Sequence, residues 1–206
     1  SQMSLDATAI ASALLHDVVE DTDVTLEDIE REYGPTIARI IDGLTKISGI
    51  SDSNISVQAE NFRKMLITIS NDIRVILIKI ADRLHNMKTM DAMIRQKQQK
   101  IASETLYIYA PLAHRLGLYN IKTELEDLSL KYTEPEAYEN IVRLLKESDE
   151  AQKAYIKEFI SSVKDVLDRE NFDYTITGRN KSIYSIHKKM VSKGVSFDEV
   201  FDRFAI

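Results

Sequence analysis

The sequence predicts a mainly α-helical protein: a helical bundle, then helical connecting segments, then the opening of a smaller α+β part. Three observations carry this. Only 6 Gly and 3 Pro occur in 206 residues, so long helices run without interruption. Apolar residues recur at helical spacing, most clearly Ile73, Ile76, Leu77, Ile80, Leu84 and Met87. Near Asn171 the texture changes to alternating apolar and polar residues with β-branched members. Hydrophobic residues make up 44% of the chain, enough for one sizeable core or for one domain plus part of a second.

The elements follow in order. A first helix is expected from Ala7 to about Val19, apolar on nearly every side and so buried in a bundle, with Asp6 as N-cap. After a polar loop, Thr25 and Asp28 form a capping box that opens a helix ending near Gly34. Pro35 suits the start of the next, which runs to about Thr45. Residues 48–57 read as a polar loop, and helices are expected at about 58–70, 73–93, 96–114, 119–130, 134–147 and 149–170. A strand at 172–177, a helix at about 181–192, a capping box at Ser196 to Glu199 and a strand beginning at Phe204 complete the chain. One strand and the start of another do not make a complete sheet, so the last part is expected to be truncated.

Composition excludes several classes. No apolar run reaches membrane-spanning length, and no signal peptide is visible, so no membrane role is expected. The absence of Cys excludes disulfides and thiolate metal sites and fits a cytoplasmic protein. A net charge of −6 argues against direct nucleic-acid binding. Charge is unevenly placed, however. From Tyr174 to Phe197 there is no Asp or Glu, but five cations: Arg179, Lys181, Lys188, Lys189 and Lys193. Such a run is either a solvated basic face or an anion grip.

The densest chemistry lies in Leu14 to Thr22. His16 and Asp17 adjoin, Glu20 lies four residues after His16, and Asp21 four after Asp17. On a helix these offsets put four ionisable groups on neighbouring ridges. A polar helix end facing water is the plain alternative. It weakens because a second polar cluster, Asp82, Asn86 and Thr89, interrupts an otherwise apolar helix downstream. An imidazole with carboxylates makes a mixed N/O site suited to manganese, magnesium or ferrous iron rather than structural zinc. His85 reads as flanking the site, His114 as structural, and His187 as part of the basic run.

These strings carry a resemblance. His16-Asp17 with a distant Asp82 resembles the metal signature of HD phosphohydrolases. ALLHDVVEDT, GLTKI, QAENFRKM, DIRVILIKIADRLHNM and ETLYIYAPLAHRLG together resemble the hydrolase half of RelA/SpoT enzymes over roughly residues 7–130. The resemblance implies that His16, Asp17 and Asp82 bind the metal, usually manganese (Mn2+). It implies that Glu20 and Asp21 activate the attacking water, and that Lys46, Ser48, Asn86 and Thr89 contact the guanosine nucleotide. The implied reaction is hydrolysis of the 3′-pyrophosphate of guanosine tetra- or pentaphosphate (ppGpp, pppGpp), releasing pyrophosphate and GDP or GTP. The family has a further ligand His and an Arg-Lys pair upstream, which this sequence begins too late to include.

The segment from Thr177 to Met190 is similar to the opening of the family's synthetase domain, which transfers pyrophosphate from ATP to GDP or GTP. The resemblance implies an α+β nucleotidyltransferase-like domain, with Arg179, Lys181 and Lys189 gripping ATP and Asp202 holding magnesium (Mg2+). It also implies an HD hydrolase domain at 1–110 without its N-terminal helices, connecting helices at 111–133 and an incomplete synthetase part at 134–206. Ribosome contact is expected only through regions absent here. Two other readings stay open: a generic HD nucleotidase, disfavoured by the synthetase-like strings, and a non-catalytic alarmone-binding module, disfavoured by Glu20-Asp21.

Overall fold

The computed structural model describes residues 5–48, 72–170, 172–176, 179–200 and 202–205. The expected loop at 48–57 falls outside the described residues except for the backbone of Ser48, and the expected helix at 58–70 falls outside them altogether. The described part is mainly α-helical, as the spacing of apolar residues requires. It divides into two compact units, Ser1–Arg83 and Leu84–Ile206, with the division falling inside one helix.

In the first unit, α1 (Ala7–Leu14) starts at the expected cap: Asp6 accepts the N–H of Ala9 at 2.8 Å. The predicted single helix to Val19 is broken, however. Leu15 to Asp17 form a turn, and α2 (Val18–Asp21) follows as a separate four-residue piece. The break is stabilised locally. The His16 ring turns back onto the Ala13 carbonyl, and the N–H groups of Glu20 and Asp21 restart the ladder on Asp17. Nor is α1 buried on every side. Only Ala9 and Ser12 are fully buried, while Leu14 is 80% exposed.

α3 (Leu26–Tyr33) opens with the predicted capping box between Thr25 and Asp28. It ends at Gly34, whose φ of 87° is a conformation that favours glycine. α4 (Pro35–Ser48) begins on Pro35, where a missing N–H costs nothing. Ile29, Ala38 and Ile41 form a core between α3 and α4, each of the two isoleucines worth roughly 1.5–3 kcal/mol. Leu15, Val18 and Val19 pack on the same core. The turn carrying His16 and Asp17 is therefore fastened from beneath.

α5 (Ile73–Thr89) lies beside α1. Arg74 reaches Asp6 at 3.2 Å, and further along the pair His16 meets Asp82 at 3.5 Å. Contact at both places means that α1 and α5 run in the same direction. A short 3₁₀ turn, Met90–Ala92, ends α5 close to the predicted boundary.

In the second unit the expected helix at 96–114 is three pieces. α6 (Arg95–Glu104) passes into a π turn, Thr105–Tyr109, and then α7 (Ala110–Arg115). Pro111 lacks the N–H that a continuous α-ladder needs, and the Ala110 N–H bonds instead to Thr105. α8 (Tyr119–Thr133) follows. Conversely, the two helices expected at 134–147 and 149–170 are one, α9 (Pro135–Arg169). Ser148 Oγ bonds back to the Leu144 carbonyl at 2.9 Å, so its hydroxyl does not interrupt the ladder. The predicted strand is misplaced. Residues 172–176 have no regular structure, and β1 is Arg179–Asn180, paired antiparallel with β2 (Phe204–Ala205). α10 starts at Ile183 rather than 181 and runs to Lys193, because Ser182 takes the N-cap position. Ile141, Ile186 and Phe197 bury against Leu144, Leu145 and Met190 to hold α9 and α10 together. Among the described residues no helix is long and apolar enough to cross a membrane.

Candidate functional site

The break between α1 and α2 builds the first site. His16 Nδ1 lies 2.7 Å from the Ala13 carbonyl oxygen, which can only accept, so Nδ1 carries the proton and donates it. Nε2 is the free end of the ring. It stands 2.9 Å from Asp17 Oδ2 and 3.5 Å from Asp82 Oδ1. Asp17 occupies the N-cap position of α2 but makes no side-chain cap bond, so its carboxylate is not consumed there. A neutral Nε2 presents a lone pair, and two carboxylate oxygens beside a lone pair repel it. Positive charge belongs in that gap, as a proton or a cation. This is the donor set and tautomer a divalent ion takes, with Nδ1–H fixed on a backbone carbonyl and Nε2 free to ligate. Nε2 and Asp17 close on each other, and among the described residues no group of three or more His, Asp or Glu side chains is spread around one ion position.

Glu20 and Asp21 sit on α2, exposed, at the rim beyond Asp17. The break in the helix separates them from the apolar face of α1. Lys46, on the last turn of α4, is exposed and pairs with Asp42 one turn earlier. Ser48 ends that helix, and its side chain lies outside the described residues. Asn86 lies one turn beyond Asp82 on α5. Thr89 is exposed, with its hydroxyl donated to the His85 carbonyl at 3.0 Å. His85 is exposed, and His114 stacks edge-on against Tyr119 with centroids 5.6 Å apart. One residue escaped the sequence reading. Lys79, a turn before Asp82, is only 8% exposed among Ile76, Ile78 and Ile80. A lysine inside an apolar helical run was the available signal.

The second cluster is at the end of the chain. Asp202 Oδ2 accepts Lys181 at 2.5 Å and also accepts Lys189. The two ammonium groups hold the Asp202 carboxyl far below the usual carboxylate range, and Asp202 raises Lys189 in return. The basic run is therefore not left to repel itself; a carboxylate from outside it neutralises two of its members. Lys181 reaches Asp202 from the end of β1, where its N–H continues the ladder to the Arg203 carbonyl, and Lys189 reaches it from α10. The Arg179 side chain lies outside the described residues. His187 approaches Glu134 at 3.5 Å.

The HD-domain family matches residues 1–119 of the chain. The chain belongs to that family. Membership implies, in general terms, dependence on a divalent cation. Among curated relatives, the chain is 44% identical over 99% of its length to a GTP pyrophosphokinase of Myxococcus xanthus, and 42% identical over its whole length to a GTP pyrophosphokinase of Streptomyces coelicolor. It is 44% identical over 98% of its length to a probable guanosine-3′,5′-bis(diphosphate) 3′-pyrophosphohydrolase of Synechocystis. The chain spans 28%, 24% and 27% of those relatives. The HD match ends at residue 119, whereas the likeness to the relatives continues through the α10 segment.

Proposed function

We propose that this HD-domain chain hydrolyses the 3′-pyrophosphate of guanosine tetra- or pentaphosphate, in a parent enzyme that also synthesises these nucleotides from ATP and GDP or GTP. The observation that carries the hydrolase reading is the placement of His16 Nε2 between Asp17 and Asp82, with Nδ1–H pinned to Ala13. The relatives that bear the two activities in their names support it. His16, Asp17 and Asp82 would hold the cation, for which manganese is the expected ion. When bound, it supplies Lewis-acid polarisation of a phosphoryl oxygen and a water. Glu20 and Asp21 take the proton from that water as it adds to phosphorus. The bond from that phosphorus to the ribose 3′-oxygen breaks, and the 3′-oxygen takes up the proton removed from the water, yielding GDP or GTP and pyrophosphate. Lys46, Ser48, Asn86 and Thr89 hold the nucleotide.

In the synthetase portion, Lys181 and Lys189, with Arg179, grip the ATP phosphates, and Asp202 holds magnesium against them. The proposed organisation is HD hydrolase at 1–110, connecting helices at 111–133 and the opening of an α+β synthetase domain at 134–206. A cytoplasmic site of action follows from these substrates.

The test is product identity. Full-length enzyme incubated with guanosine tetraphosphate is expected to release pyrophosphate and GDP in equal amounts. Release of inorganic phosphate instead would assign the chain to general nucleotide phosphohydrolysis. Tight binding without turnover would assign it to alarmone sensing.

A further inference from the structure

Asp127 lies on α8, yet its Oδ1 accepts the N–H of Tyr184 at 2.8 Å, and the N–H of Ile183 also donates to the carboxylate. Ile183 and Tyr184 are the first two residues of α10. Ser185 N–H donates to Ser182 Oγ, and Ile186 N–H to the Ser182 carbonyl. The first turn of α10 has thus found acceptors for its N-terminal donors, two of them on a residue far away in sequence. That turn contains no acidic residue of its own, so the anion at the positive end of the helix comes from α8. Burial pushes the Asp127 carboxyl up, with Glu126 adding to this, while the two α10 amides pull it down. The carboxylate is held in an unfavourable place by what it does for α10.

The cation cluster depends on this seat. Lys181 comes from the end of β1 and Lys189 from α10, and they meet at Asp202. Their spacing is set by where α10 begins and how it is aimed. Apolar packing of Ile183, Ile186 and Met190 in the core with Ile141 holds one face of the helix, and Asp127 holds the amides of its first two residues.

We infer that Asp127 is a positioning residue for the ATP-phosphate grip: it seats the first turn of α10 on α8 and thereby aims Lys189 at the same point as Lys181. The inference rests on the reading that this lysine pair binds ATP. Asp127 itself touches no phosphate. It ties α8, which begins where the HD match ends at residue 119, to the segment that carries the synthetase-like residues.

The experiment compares pyrophosphate transfer and guanosine tetraphosphate hydrolysis in the full-length enzyme and its variants. Asp127→Ala is expected to raise KM for ATP roughly five- to tenfold, the scale of a lost helix cap, with kcat at saturating ATP within about twofold. Hydrolysis by the same variant should be unchanged. Asp127→Asn keeps an acceptor oxygen for Tyr184 and sheds the cost of a buried charge, so it should restore KM to within about twofold of the parent. If Asp127→Ala does not fold, Asp127→Ser, too short to span both amides, is read in the same way. An unchanged KM for ATP in Asp127→Ala beside a raised one in Lys189→Ala overturns the inference alone. A KM unchanged in Lys189→Ala overturns the ATP reading and the inference with it. Equal loss of hydrolysis and transfer in Asp127→Ala reduces the residue to a fold support and also overturns the inference.

Discussion

His16 Nε2 and Asp82 Oδ1 stand 3.5 Å apart, one in the turn that closes α1 and the other midway along α5. No local sequence rule joins them. They meet because α1 and α5 run in the same direction and are clasped at their starts by Asp6 and Arg74. Removing Asp82 should therefore cost metal more than fold. Asp82→Asn is expected to weaken manganese binding by about tenfold or more, as titration calorimetry would show, with the metal-free melting temperature shifted by no more than about 3 °C. Unchanged manganese affinity would remove Asp82 from the site.

Glu20 and Asp21 are exposed on a short helix that contributes no fully buried residue. Replacing them together by Gln and Asn should leave thermal unfolding nearly unchanged. Hydrolysis should fall about 10²-fold or more, the usual scale for loss of a general base. Normal turnover in the double variant would end their assignment as proton acceptors.

Arg74 donates three hydrogen bonds to Asp72 from Nε and Nη2, at 3.0, 3.2 and 2.7 Å, and another from Nη1 to Asp6 at 3.2 Å. The side-chain hydrogen bonds from Arg74 hold the Asp72 carboxyl below its ordinary value, against the opposing effect of burial. A lowered folded-state value means that the pair's contribution is present above the unfolded carboxylate range near pH 4 and fades as pH falls through the folded value. Arg74→Ala should lower stability at pH 7 by about 1–2 kcal/mol, and the difference from the parent should shrink as pH falls below the ordinary carboxylate range. A difference independent of pH would mean that Arg74 acts through packing alone.

Much of the fold was legible because it rests on local rules. The caps at Asp6, Thr25 and Ser196 and the start at Pro35 are all where propensity puts them. The misreadings share a cause. The break after Leu14 depends on a side-chain bond from His16 to Ala13, and the continuity of α9 depends on Ser148 bonding back to its own helix. Neither leaves a trace in hydrophobic spacing. The strand expected at 172–177 was read from alternation, but pairing is decided by a partner, and β2 pairs with Arg179–Asn180 instead. At the candidate site, motif spacing pointed to His16, Asp17 and Asp82. It was blind to Asp127, whose role is visible only once α8 and α10 have come together.

The most direct test of the central claim is the rate of pyrophosphate release from guanosine tetraphosphate by the full-length enzyme, measured after chelation and again as manganese is added back. The parent should lose activity on chelation and regain it with manganese, while His16→Gln should stay inactive at manganese concentrations that saturate the parent. Release that survives chelation, or that proceeds normally in His16→Gln, would contradict a cation held at His16, Asp17 and Asp82 as the source of the hydrolytic chemistry.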